Sequence, residues 1–236
     1  MWRTQTEAVS DRIVLAPPLP GFDSHARISE PTIDGYARDL LTFLDAKKIE
    51  RAIFCGLSLG GYVLFGILRQ APERVAGLIL ADTRTSVDTP ERLAARVRSI
   101  ETVHQRGAVA IADEMIPNLL GPTTHATQPQ VAAELRQLIE SQPAGAIADG
   151  LQAMITRPDS AAVLTRVRVP ALIVVGSDDT ITPVADALSM HQAIPGSRLV
   201  TIDRVGHMSN MEAPREFNDA LRAFLESSKF EGQSAK

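Results

Sequence analysis

The chain has almost no cysteine. With one thiol, Cys55, an internal disulfide is impossible, which excludes the stapled small-domain classes and fits a reducing compartment. Neither charge sign dominates: 24 Lys+Arg against 28 Asp+Glu leave a net charge of −4. That balance supplies no basic face for nucleic acid or anionic lipid. The opening MWRTQTEAVSDRIVL lacks the basic segment and long apolar core of a signal peptide, so the expected location is cytoplasmic. The charge-free stretch Ala52 to Leu68 is short for a membrane span and interrupted by glycines, so no membrane partner is expected. His25, His104, His125 and His191 show no metal-ligand spacing, so no metal is expected. No repeat or low-complexity segment occurs. What remains is ordinary: 236 residues, 44% hydrophobic and 22% charged, enough for one α/β domain with a sizeable core.

The chain is organised around Arg51 to Gln70, RAIFCGLSLGGYVLFGILRQ. Ala52–Cys55 reads as a short buried strand, and Tyr62–Leu68 as a helix apolar nearly all round. Between them Gly56-Leu57-Ser58-Leu59-Gly60 matches G-x-S-x-G. Turning from strand to helix so tightly strains the central residue and exposes its side chain. Residues two before and two after crowd each other, which calls for Gly56 and Gly60, with Gly61 adding room. The product is a serine hydroxyl at the head of a helix, with the Leu59 N–H pointing where an oxyanion would form. Cys55, just before the turn, reads as a small buried hydrophobe rather than a nucleophile.

Before this centre, Trp2–Val9 is expected to be part of a helix and Ile13–Ala16 a short buried strand. Pro17, Pro18 and Pro20 force an extended loop into Gly21-Phe22. Thr32 caps a helix carrying Ile33, Tyr36, Leu40, Leu41 and Leu44. After it, Leu78–Leu80 is an apolar run ending in Ala81-Asp82-Thr83. The texture then changes. Leu93, Val97 and Ile100 suggest one amphipathic helix, Val131, Leu135, Leu138 and Ile139 a second, and Ile147, Leu151, Met154 and Ile155 a third, punctuated by prolines. Pro170–Val175 restores a buried parallel-type strand that ends in Gly176-Ser177-Asp178-Asp179. Thr182-Pro183 reads as N-cap and first position of a helix. Arg198–Ile202 is the last strand, followed by Gly206-His207, and Pro214 opens a helix whose Phe217, Leu221, Phe224 and Leu225 share a face. Strands alternating with helices imply a mostly parallel sheet covered on both faces. Residues 1–83 and 168–226 make its α/β core, 84–167 a helical lid inserted between strands, and 227–236 a flexible tail.

Ser58, Asp179 and His207 each follow an apolar run, in the order Ser…Asp…His. With that order, the segments GLSLGG, PERVAGLILADT, VPALIVVGSDDTITP and GHMSNMEAP resemble the α/β-hydrolase superfamily, and within it the carboxylesterase, 3-oxoadipate enol-lactonase and non-haem haloperoxidase-like group. The resemblance spans essentially the whole chain and is weakest in the helical insertion. It implies a Ser58–His207–Asp179 triad, an acyl-enzyme cycle on a small-molecule ester or lactone, and no cofactor. Asp179 is the fourth residue of the family's G-x-x-D turn, and Asp178 a neighbouring loop residue. Asp82 is a second possible acid, since some members place it there. Serine at the turn excludes the dehalogenase and epoxide hydrolase chemistries that use aspartate.

One departure stands against the resemblance. The family's first strands and a His-Gly loop, which supplies a second oxyanion N–H, have no counterpart here, and Pro20-Gly21 does not replace that loop. The expectation is therefore an N-terminally truncated reading of a longer product. In it, either Ile13–Ala16 slides across to pair with Ala52–Cys55 or the sheet edge stays open. The competing function is a catalytically impaired or inactive binding protein of the same fold.

Overall fold

The computed structural model describes residues 1–227. Helix α1 (Arg3–Ala8) and helix α2 (Ile33–Ala46) come first. Thr32 caps α2 as the sequence predicts, its hydroxyl accepting the Gly35 N–H at 3.0 Å. Strand β1 (Ala52–Leu57) runs into α3 (Leu59–Gln70), and β2 (Val75–Ala81) follows. The helical block between β2 and the next strand is α4 (Pro90–Leu119), α5 (Pro122–Thr127), α6 (Pro129–Glu140), α7 (Ala144–Ile155) and α8 (Ala161–Leu164). Then come β3 (Ala171–Gly176), α9 (Val184–Ala193), β4 (Arg198–Ile202), α10 (Ser209–Glu212) and α11 (Pro214–Ser227).

The four strands form one parallel sheet in the order β1-β2-β3-β4. Parallel neighbours need crossovers, which helices supply. The pleat sorts the apolar runs: Leu78, Leu80, Ile173 and Val175 face a core with α2, α3 and α9. Ile79, Ala81, Leu172 and Val174 face the other, with α11 and the second half of α4. Phe217, Leu221, Phe224 and Leu225 are buried there together, the shared face predicted for the last helix. All strands point the same way, so Ser58, Asp82, Asp179 and His207 emerge at one end of the sheet, beyond its carboxyl edge. Among the described residues no helix is long and apolar enough to cross a membrane. The predicted tail beyond Ser227 lies outside the described residues.

Several sequence expectations are corrected. Ile13–Ala16 is not a strand: no ladder forms, and Ile13, Val14 and Leu15 are 93, 40 and 46% exposed. An apolar run makes a strand only where a neighbour takes its N–H and C=O groups, and here it does not slide across to β1. Among the described residues β1 pairs only with β2. Its open edge also leaves Cys55 exposed rather than buried. The insertion holds more helix than three amphipathic faces predict. α4 runs 30 residues through a break at Gly107, whose φ of +77° and ψ of −175° turn the chain between two helical segments. Pro183 is the N-cap of α9 and Val184 its first residue; Thr182 is drawn away from capping because its hydroxyl donates to Asp179.

Candidate active site

The turn after β1 has the strain expected of it. Ser58 sits at φ +52°, ψ −112°, a left-handed region that costs energy for any residue with a Cβ. The glycine requirement is only partly as predicted. A Cβ on Gly56 would lie 2.5 Å from the Gly60 carbonyl carbon, and one on Gly61 2.5 Å from the Thr83 hydroxyl. A Cβ on Gly60 meets nothing within 4 Å. The crowding therefore falls on Gly56 and Gly61, and Gly60 contributes the backbone that Gly56 must clear. Leu59 is the first residue of α3, so its N–H has no acceptor inside the helix and stands beside the hydroxyl at the positive end of the helix dipole.

Three of the predicted residues meet. His207 Nε2 lies 2.8 Å from Ser58 Oγ, and His207 Nδ1 lies 2.8 Å from Asp179 Oδ2. Asp179 and His207 are buried, while Ser58 is partly open. Asp179 is held from its own loop: Oδ1 accepts the Ile181 and Thr182 N–H groups at 2.8 and 2.9 Å, and Oδ2 accepts the Thr182 hydroxyl at 2.6 Å. Burial alone would raise its pKa, but the bonds from His207 and Thr182 outweigh that and hold it below the ordinary carboxylate value. An ionised Asp179 only accepts, so Nδ1 carries the imidazole hydrogen and Nε2 is left to accept from Ser58. Asp178 turns away and takes a bond from the Ser177 hydroxyl at 3.1 Å. His25 meets Asp39 at 3.3 Å and His191 meets Ser197 at 2.8 Å.

Sequence reasoning missed the groups that hold this line in place. The histidine loop is clamped by Glu212, whose Oε2 accepts the Gly206, Gly121 and Thr124 donors at 3.1, 2.8 and 2.6 Å, and whose Oε1 accepts the Met208 N–H at 3.1 Å. The His207 N–H itself donates to the Leu119 carbonyl at 3.0 Å, at the end of α4. Three backbones converge here: a Cβ on Gly176 would lie 2.2 Å from the Gly206 oxygen, and one on Gly206 2.3 Å from the Gly121 nitrogen. Asp82, weighed as the alternative acid, does not touch the histidine through a hydrogen bond. It is fully buried, with Oδ1 accepting the Gly176 N–H at 3.0 Å and Oδ2 the Ser209 hydroxyl. The only sequence signal for Ser209 and Glu212 was their place inside a recognised segment, and Thr182 was read only as a helix cap.

From the insertion, α7 lies over the turn. Gly150 faces Leu59 and Phe22, each 3.6 Å from where its Cβ would stand. A hydroxyl on a strained turn, an imidazole beside it and a free helix N–H can together attack and stabilise a polarised carbonyl.

Solved structures share this architecture. A thermophilic esterase from Thermogutta terrifontis is 36% identical with a TM-score of 0.91, over 95% of this chain and 84% of that one. The enol-lactonase from Burkholderia xenovorans is 27% identical with a TM-score of 0.87, over 95% and 85%. In sequence, 3-oxoadipate enol-lactonase 2 of Acinetobacter baylyi is 27% identical over 230 residues, 95% of this chain and 83% of the relative. The model described as "Alpha/beta hydrolase family" matches residues 1–220, and the chain belongs to that family.

Proposed function

We propose that the chain hydrolyses a small carboxylic ester or lactone through an acyl-enzyme on Ser58. The observation that carries this is the unbroken line from Ser58 Oγ through His207 to Asp179, with 2.8 Å at each link. In the first half-reaction His207 Nε2 takes the Ser58 proton as Oγ attacks the carbonyl carbon. Asp179 then stabilises the imidazolium, which returns the proton to the leaving alkoxide. The Leu59 N–H faces the oxyanion. In the second half-reaction water takes the alcohol's place and Ser58 leaves protonated. Likeness to an esterase and to enol-lactonases supports this substrate class, since esters and lactones pass through the same acyl intermediate. In this reading residues 84–167 act as a lid, with α7 roofing the acyl pocket.

A fluorophosphonate probe tests it. The wild type is expected to label, and Ser58→Ala, which keeps its thermal unfolding profile, to lose both labelling and ester turnover. Turnover in Ser58→Ala would overturn the reading. An unlabelled, folded wild type would favour a binding protein of this fold instead.

A further inference from the structure

We infer that Asp82 is a positioning residue of this site, holding the loops of Asp179 and His207 in register from the end of β2, where its neighbours Ala81 and Thr83 hold the loop of Ser58, and adding, when ionised, a second negative charge beside His207. The inference rests on the triad reading above and assigns Asp82 no direct part in bond making.

The geometry is convergent. Asp82 is the first residue after β2 and sits at φ +42°, the left-handed region. Its N–H donates to the Val174 carbonyl at 2.9 Å. Oδ1 takes the N–H of Gly176, which opens the turn carrying Asp179. Oδ2 takes the hydroxyl of Ser209, two residues past His207. The next residue completes the set: the Thr83 hydroxyl donates to the Ser58 carbonyl at 3.0 Å, and the Ser58 N–H returns to the Ala81 carbonyl at 3.0 Å. Ala81, Asp82 and Thr83 thus touch all three loops. A carboxylate that only braced loops would be a poor choice for a fully buried position, because burying charge is costly. Asparagine could keep the Gly176 bond and, with its Nδ2 donating to the Ser209 oxygen, bridge the same loops without that cost.

The charge has a place to act. The titratable groups that face Asp82 are His207 and Asp179, of opposite sign. Burial, together with the Asp179 charge, pushes the Asp82 carboxyl up to about 7, while His207, Ser209 and Gly176 pull it down. Ionised, it favours the imidazolium that forms when Ser58 attacks. Removing the charge therefore moves the acid limb of the kcat/KM profile to lower pH where that limb is set by the imidazole, and abolishes it where it is set by Asp82 itself.

The test uses the intact chain and three variants, Asp82→Asn, Asp82→Ala and Ser209→Ala, with an activated ester and with fluorophosphonate labelling. Asp82→Asn keeps the Gly176 bond and can bridge to Ser209 by donating from Nδ2, and is expected to retain kcat within about tenfold while its acid limb shifts to lower pH or is lost. Asp82→Ala frees the loops and should lower kcat on the order of 10²-fold, with KM little changed, as misplacement of reacting groups does. Ser209→Ala, which leaves the charge in place, should fall between them. If Asp82→Ala does not fold, Asp82→Asn and Ser209→Ala decide alone. An unmoved acid limb in Asp82→Asn together with a wild-type kcat in Ser209→Ala overturns the inference. A loss in Asp82→Asn as deep as in Asp179→Asn also overturns it, by making Asp82 the triad acid. If the folded wild type neither labels nor turns over, this inference and the triad reading fall together; if only the Asp82 variants match wild type, it falls alone.

Discussion

Asp179 and Asp82 titrate in opposite senses, and each sense has a measurable consequence. The folded pKa of Asp179 is held down, so its contribution to stability is present above the unfolded carboxylate value of about 3.9 and is lost as acid protonates the folded state. For catalysis the acid matters more: Asp179→Asn should cost on the order of 10⁴ in kcat by analogy with the serine protease case, and Asp178→Asn little. A steady-state comparison checks this, and a larger loss in Asp82→Asn would reverse the assignment. Asp82 goes the other way. Its folded pKa of about 7 lies above the unfolded value, so folding favours its protonated form. That stability is full below about pH 4, declines as pH rises towards 7, and is gone above it. Asp82→Asn is neutral at every pH. It is expected to unfold at higher temperature than wild type at pH 8, by up to about 4 kcal/mol of stability, and at nearly the same temperature at pH 4. Equal melting at both values would mean that Asp82 is not an ionised buried group.

Elements are joined here by charge as well as by apolar area. Asp88, in the loop between β2 and α4, has a buried carboxylate shared by Arg84, Arg96 and Arg157. Burial would raise its pKa, and the guanidinium groups of Arg157 and Arg96 outweigh that and hold it well below the usual range. Arg157 follows α7 and also stacks on the Tyr62 ring of α3, 4.4 Å from its centroid. The network thus pins the start of α4 and the end of α7 to α3, the helix that follows Ser58. Removing the shared counter-ion strands buried arginines, and Asp88→Ala should lose about 3–5 kcal/mol, read by denaturant unfolding. A loss under about 1 kcal/mol would mean the arginines find water or other partners. On α7 itself, Gly150→Leu should fill the space over Leu59 and Phe22. Long-chain esters should then lose more activity than acetyl esters; an unchanged chain-length profile would make α7 structural only. Much of this was legible in the sequence. β2 and β3 are continuous apolar runs, and the turn at Ser58 carries its own spacing. The Arg157–Asp88 pair, the Ser209–Asp82 bond and the bonds of Gly121 and Thr124 to Glu212 were not legible, because each joins residues far apart in the chain through no local period. Ile13–Ala16 and Cys55 were misread for the complementary reason: an apolar run states a demand for burial, and only the fold says whether a neighbour meets it.

The molecule as a whole has one side that its own strands leave unfinished. β1 is a terminal strand of a parallel sheet, a kind of sheet ordinarily covered on both faces. Among the described residues nothing pairs with the outer edge of Ala52–Leu57, and Cys55 is exposed on that strand. An uncovered edge with no lysine, proline or bulge to blunt it is a template for another strand. The only register shift in β1 lies at Ala52/Ile53, against β2 rather than on the outer side. The expected outcome is concentration-dependent self-association, read by sedimentation velocity in reducing buffer so that disulfides through Cys55 cannot imitate it. Cys55→Lys places a charge on the edge strand and should suppress association without loss of probe labelling at Ser58. The exposed run at Ile13 is the competing sticky surface, and Ile13→Lys separates the two. If Ile13→Lys restores the monomer and Cys55→Lys does not, association runs through that loop. A wild type that sediments as one monomeric species at every concentration would show that the edge of β1 is closed to partners.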